Sequence, residues 1–430
     1  MLLNTILPRV LRLMSQVHVA WVFATSLCVG VLLIYWLKPQ LMLTDMSADR
    51  KTIAMFVPYF CVGSVLLWMI LSEQLSAIHG ILLWVLYLIL TLLLYDVFFE
   101  PIWHFYRDDP GRYSTYAHAM VSEKTLWGSD AVGKIGVEQA YYVDQPGYRY
   151  YLAVMIVLLG GEHRLLHLVN MGVYLAVLIW YMVTIRNYTK TVYMPIGLIL
   201  VLTLPYAANN VLEGLCEWLT VTLALLYITM SVRGRLILPI IILALIPFIR
   251  QNYLLVSIAL LILSCIYANE WRTRAFMLLL FILVVLLPLY HNLYYASEFR
   301  FLTTNRGSLI KWDDSFVRII DQLSYVLWWK AKTYLGYWSA ADRLRTFEAV
   351  LFAPFGTFLV LYYLCKQLSF SRFYFALISA LTIGPTIIFG WGYFPRFVFS
   401  NLLITLSILP LLMQYKLRHS INNQLESRVS

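Results

Sequence analysis

Twelve apolar runs of roughly membrane-spanning length recur along the chain. They lie near residues 17–37, 53–72, 79–99, 163–185, 192–207, 213–231, 236–249, 251–268, 275–293, 348–365, 373–391 and 397–414. A helix needs about 20 apolar residues to cross a hydrocarbon core about 30 Å thick, and irregular backbone is not tolerated against lipid. Runs at this density predict an all-α polytopic membrane protein with about twelve transmembrane helices, although 192–207 and 236–249 fall short of full length. Composition points the same way: hydrophobic residues make up 61% of the 430 and charged residues 13%. Soluble domains are about half apolar and about a quarter charged, and a soluble chain of this size cannot hide so much apolar surface. An ordinary soluble enzyme and a disordered chain are therefore excluded.

The run 149–159 is treated differently. As a helix its 11 residues cover about 16 Å, too little to span. It reads as an interfacial helix with Tyr148, Tyr150 and Tyr151 at headgroup level. Charge bias supports that reading. With the N-terminus inside, Arg186 and Lys190, Arg233 and Arg235, Arg272 and Arg274, Lys366 and Arg372, and Lys416 and Arg418 all fall in cytoplasmic segments. Counting 149–159 as a span would put every one of these pairs outside, against the positive-inside rule. Two features fit poorly: the inside loop near Glu73 has no Lys or Arg, and the outside loop 38–52 carries Lys38, Arg50 and Lys51.

The resulting organisation is three N-terminal spans (1–99), a long extracytoplasmic loop (100–162), six spans (163–293), a second long extracytoplasmic loop (294–347), and three spans with a cytoplasmic tail (348–430). The first run follows Arg9 and Arg12, is too long for a signal-peptide core and reads as a retained span. The net charge of +10 is read as cytoplasmic loops facing anionic lipid, and no nucleic-acid partner is expected. Cys28, Cys61, Cys216, Cys265 and Cys365 lie in apolar stretches without a CxxC pair and are expected to be core residues. His163 and His167 have i, i+4 spacing but no HExxH order and no third ligand, so a helix start is favoured over zinc. No phosphate-binding glycine loop or nucleophile elbow occurs.

Acidic residues of the first long loop carry the candidate chemistry. Asp108 and Asp109 precede a Pro110-Gly111 turn in FYRDDPGRYSTYAHAM. Paired carboxylates at a membrane face suit a general base or a divalent cation, and equally a solvated turn that caps a helix. Asp144, in YYVDQPGYRYY, either joins that pair or complements a helix dipole.

The pattern Asp108-Asp109-x-x-x-Tyr113-x-x-Tyr116-Ala117, then Asp144-x-Pro146-x-Tyr148, a short apolar helix ending in Gly160-Gly161, and a span opening EHRLLHLVN resembles the GT-C glycosyltransferase superfamily. It is similar to the bacterial aminoarabinose transferases and the protein O-mannosyltransferases. The resemblance implies a catalytic acid in this loop, with Asp109 first because it stands four residues before Tyr113, Asp108 second and Asp144 third. It also implies substrate contacts from Tyr113 and Tyr148, and a divalent cation (Mg or Mn) on Asp109 and Asp144 as an option. The chain departs from the family in having Pro110 directly after the Asp pair, and in placing the loop after the third span rather than the first.

Two cations break the charge bias. Arg250 and Arg396 fall at outer ends of spans, where either snorkelling or a bound phosphate explains them. GT-C proteins use late outward arginines for the lipid phosphate, so both are expected to bind substrate. Glu213 and Glu217 sit one turn apart at the outer end of the sixth span, as site residues or as dipole partners.

Together these imply a membrane glycosyltransferase, inverting, that moves a sugar from a polyprenyl-phosphate donor to a glycan, glycolipid or protein acceptor at the extracytoplasmic face. Its expected location is the bacterial inner membrane, with both termini cytoplasmic. The alternatives are an O-antigen polymerase or ligase, and a lipid-glycan transporter or flippase.

Overall fold

A computed structural model describes residues 61–98, 109–124, 146–160, 163–189, 216–268, 270–296, 315–334 and 403–413, with isolated positions between them and near the N-terminus. Asp108, Asp144, Glu213 and Arg396 lie outside the described residues, as do the side chains of Asp109, His163 and His167. Where described, the chain is almost entirely helical and contains no strand. The all-α expectation holds at that level.

The helices are α1 (Cys61–Leu71), α2 (Ala77–Phe98), α3 (Asp109–Ser122), α4 (Pro146–Leu159), α5 (His163–Tyr188), α6 (Glu217–Val232), α7 (Ile237–Ile249), α8 (Leu254–Tyr267), α9 (Trp271–Ala296), α10 (Phe316–Tyr334) and α11 (Leu403–Met413). Two contain stretches long and apolar enough to cross a membrane: Leu168–Tyr188 in α5 and Trp271–Tyr294 in α9. Both support a membrane protein. α9 exposes Leu279, Ile282, Leu283, Leu286 and Leu287, an apolar stripe at helical spacing that suits lipid rather than water. α2 does the same with Ile78, Ile81, Leu82, Val85 and Ile89.

α6 is the central helix. Thirteen of its 16 residues are buried, and it packs on α5 and α7. Its hydroxyls are satisfied without leaving the helix: Thr220, Thr222 and Thr229 donate to the carbonyls of Cys216, Trp218 and Leu225 at 3.1, 2.7 and 2.7 Å. That local pairing lets polar residues sit in an apolar core at little cost. Gly234, at φ +80°, ends the helix, and the Arg235 amide returns to the Met230 carbonyl at 3.1 Å. Such a left-handed cap is available to glycine because it lacks a Cβ. α7 then runs back. Pro247 lies near its C-terminal end, where a missing N–H and the ring's bulk favour termination. Arg250 follows in an extended conformation, and the single turn Gln251–Tyr253 leads into α8.

Small residues permit close helix approach, as expected where apolar surface alone does not drive association. On α2, a Cβ at Gly80 would meet Ile179 Cγ2 of α5 at 2.3 Å. The Trp84 indole donates to the Gly172 carbonyl at 2.8 Å.

The bundle has two distinct ends. At one, Arg186 donates to the carbonyls of Glu73 and Leu75, and Arg233 lies 5.6 Å from the Trp180 ring centroid. Arg233, Arg235 and Arg272 border one cavity there. The basic turns α6–α7 and α8–α9 thus share an end with the α1–α2 turn. Arg186 supplies the cation that the Glu73 loop lacks in its own sequence. At the other end, α6 begins at Glu217, α7 finishes at Arg250, and Tyr150 of α4 touches Phe248 of α7 and His291 of α9.

Two features differ from expectation. Tyr148 is fully buried, and Arg149 beside it is 3% exposed, so the start of α4 is packed within the protein rather than lying on its surface. It is drawn inward because α4 packs on α3, α7, α5 and α9. Only the later residues Val154, Val157 and Leu158 are exposed. The second long loop also contains α10, a helix of 19 residues with Phe316, Val317, Ile320 and Tyr325 exposed, where no helix was anticipated.

Candidate functional site

The end opposite the basic turns gathers most of the buried charge among the described residues. Arg250 Nη2 lies 3.2 Å from Glu217 Oε1, and the two side chains are 8% and 1% exposed. Arg250 Nη1 also reaches Cys216 Sγ at 3.5 Å. A buried ion pair holds only with close geometry, since both groups have given up water. Glu217 is placed by the first turn of α6, where the positive end of the helix dipole also favours a carboxylate. Arg250 is placed by the break after Pro247.

An aromatic shell closes over the pair. The Tyr148 hydroxyl donates to the Gly214 carbonyl at 2.8 Å and accepts from the Trp218 indole at 3.4 Å. Gly214 has φ +68°, a conformation that exposes its carbonyl at the entry to α6. Burial holds the Tyr148 phenol well above its ordinary value, the Trp218 hydrogen bond opposing, so the group remains a donor at physiological pH. Tyr113 meets Tyr148 edge-on with ring centroids 5.3 Å apart, and it lies within Coulombic range of Arg250. Tyr151 stacks on Tyr148 at 6.1 Å, touches Trp218 at 5.8 Å and donates to Asn170 of α5.

Gly147 is the contact that admits α4. A Cβ there would stand 2.7 Å from the Phe248 carbonyl oxygen, so only glycine lets α4 approach α7 this closely. Two residues on, the Arg149 guanidinium lies 5.5 Å from the Tyr116 ring centroid. Tyr253 donates to Ser400 Oγ at 3.0 Å, which ties the same end to the last part of the chain.

Of the residues singled out from sequence, Tyr113, Tyr148, Glu217 and Arg250 are brought together here. Asp109 is the first residue of α3, one turn before Tyr113. Ser400, four residues beyond Arg396, reaches the neighbour of this cluster. Glu217 is engaged with Arg250, so the two act as one unit rather than as separate contacts. Arg149, Cys216, Trp218, Tyr253 and Asn170 belong to the cluster without having been anticipated. A buried Arg flanked by tyrosines was the one available sign, and it reads as interfacial when neighbours are unknown.

Cys61 and Cys216 are buried, Cys265 is half-buried, and none of the three is in a disulfide among the described residues. Among the described residues no group of three His, Cys, Asp or Glu side chains could hold a metal ion. Chemically, the cluster offers an oriented guanidinium, phenol donors and an aromatic wall, reached from the segment that opens with Asp109. Comparison of the chain with protein-family models, curated proteins and solved structures finds no match.

Proposed function

We propose that the chain is a multi-pass membrane glycosyltransferase that uses a polyprenyl-phosphate-linked sugar at the extracytoplasmic face. The observation that carries this reading is the contact of Tyr113 and Tyr148 with the α6–α7 end that holds Arg250. It joins α3, the helix that opens with Asp109, to the end that holds Arg250, which supports the shared pocket that the reading requires. The opposite end carries Arg186, Arg233, Arg235 and Arg272, which favours that end as cytoplasmic and this one as outward. The proposed topology is about twelve spans with both termini cytoplasmic, in a bacterial inner membrane.

In the proposed reaction, an acceptor hydroxyl on a glycan, glycolipid or protein attacks the anomeric carbon of the donor sugar. The bond from that carbon to the phosphate oxygen breaks, and the configuration inverts. Asp109 takes the hydroxyl proton as the new bond forms, with Asp108 and Asp144 as the other acids of the loop. Arg250, oriented by Glu217, and Arg396 hold the phosphate, whose charge grows as it leaves. Aromatic rings of Tyr113 and Tyr148 wall the sugar side. A divalent cation on Asp109 and Asp144 rests on the family resemblance alone, and no step is routed through it.

The test uses purified protein with labelled polyprenyl-phosphate sugars and a membrane glycolipid extract, and reads product mass. Asp109→Asn should abolish transfer at normal membrane levels. Transfer persisting in that variant and in Asp108→Asn and Asp144→Asn would sink the reading. Polymeric product would instead favour an O-antigen polymerase or ligase. A transporter is the second class of reading, favoured by the buried Arg250–Glu217 pair, since intramembrane charge often marks a transport path. It predicts that Glu217→Gln is the more damaging change, with no product formed by the unmodified protein.

A further inference from the structure

The basic end of the bundle holds a cavity of about 880 Å³. Arg233, Arg235 and Arg272 line it together with Trp180, Met230 and Phe276. No carboxylate lines it among the described residues. The three arginines come from two turns that are distant in sequence, and all three are exposed. Arg233 is steered by the Trp180 ring, 5.6 Å from its centroid. Along α9 the lining runs from Arg272 to Phe276, about 6 Å of helix rise at about 1.5 Å per residue. Leu236, Ile237 and Leu238 also line it and are exposed.

This layout is more than a set of basic loops. Guanidinium groups share one lining with aromatic and thioether side chains, and the whole lies at the start of the membrane-length stretch Trp271–Tyr294. A soluble anion would satisfy only the guanidiniums, and a neutral lipid only the apolar lining. We propose that this cavity is a binding site for an anionic phospholipid, its phosphate held by Arg233, Arg235 and Arg272 and its acyl chains lying against Met230 and Phe276. The site is separate from the Arg250–Glu217 end and does not depend on the sugar-transfer reading. Arginine suits it because its planar fork pairs with two phosphate oxygens at once.

The test is native mass spectrometry of the full chain in detergent, titrated with phosphatidylglycerol, with phosphatidylcholine and with inorganic phosphate. Each cation near an anionic surface raises binding by about fivefold. Phosphatidylglycerol should bind at least about tenfold more tightly than phosphatidylcholine, and inorganic phosphate should not displace it. The combined Arg233→Gln, Arg235→Gln, Arg272→Gln variant should lose the preference. So should Thr273→Trp, which fills the cavity from its wall and keeps every charge. Arg318→Gln, on exposed α10, should leave it intact. The preference surviving the triple change, or surviving Thr273→Trp, would overturn the proposal. The second result would assign the effect to diffuse charge. Displacement by inorganic phosphate would overturn it in favour of a small-anion site.

Discussion

Breaking the Arg250–Glu217 pair should expose how dry the aromatic end is. The two groups meet at 3.2 Å with side chains 8% and 1% exposed. At an effective dielectric of about 20, such a separation corresponds to about 5 kcal/mol of attraction before desolvation is counted. Desolvation offsets much of that, so the pair's net worth is small while the cost of orphaning one member is large. Removing either charge alone should cost about 3–5 kcal/mol. Glu217→Gln removes the carboxylate that faces the guanidinium, while Nη1 keeps its contact with the Cys216 sulfur. Arg250→Met leaves a carboxylate in an apolar core. The double variant leaves neither charge and should be much closer to the parent protein.

The assay is a double-mutant cycle on unfolding in mixed micelles, with denaturing detergent as the variable. A coupling energy of at least about 5 kcal/mol is expected, because single costs of about 3–5 kcal/mol each would largely vanish in the double variant; contacting residues more usually give about 0.5–3 kcal/mol. If each single change cost less than about 1 kcal/mol and the effects added, the charges would not be meeting in a water-poor site. The inference that Glu217 orients Arg250 would then fail, and the two would have to be treated as independent, hydrated groups.

Other consequences follow from single contacts. Gly147→Ala places a methyl 2.7 Å from the Phe248 carbonyl oxygen, and it should destabilise by about 1–3 kcal/mol, read by thermal unfolding. Tyr148→Phe removes the 2.8 Å bond to the Gly214 carbonyl and should cost about 1–3 kcal/mol, because that acceptor is left inside the protein. Arg186→Gln should lose the bonds to Glu73 and Leu75 and raise amide exchange in the α1–α2 turn. Burial depresses His118 below 6.5, so the folded state disfavours its charged form. Stability should fall as pH drops below about 6.5, and His118→Gln should flatten that slope in a pH series of unfolding curves.

The fold was legible where one physical constraint acts alone. Long apolar runs located α2, α5, α6, α7, α8 and α9 to within a few residues, because lipid or core burial demands continuous apolar helix whatever its neighbours. Relative placement was legible through charge: Arg233, Arg235 and Arg272 were assigned to one side, and they border one cavity. The start of α4 was not legible. Tyr148, Arg149, Tyr150 and Tyr151 form an amphipathic sequence that suits an interface. What buries Tyr148 is Gly147 against Phe248, a steric fit between segments about a hundred residues apart. Glu217 was visible as an intramembrane acid, but its partner was not, since pairing with Arg250 depends on how α6 and α7 fold back. α10 was hidden because Phe316–Tyr334 mixes charged, polar and apolar residues and so lacks the continuous apolar run of a span.

The pairing also changes what Arg250 has to explain. A lone Arg250 at the end opposite the basic turns would run against the charge bias. Coupled to Glu217 it is neutral, so its location needs no bound anion. Arg149, buried against Tyr116, is a second guanidinium at the same end. On the proposed function both stand where the donor phosphate would arrive, so Arg149→Gln and Arg250→Gln should each weaken donor binding, read by titration with a labelled polyprenyl-phosphate sugar.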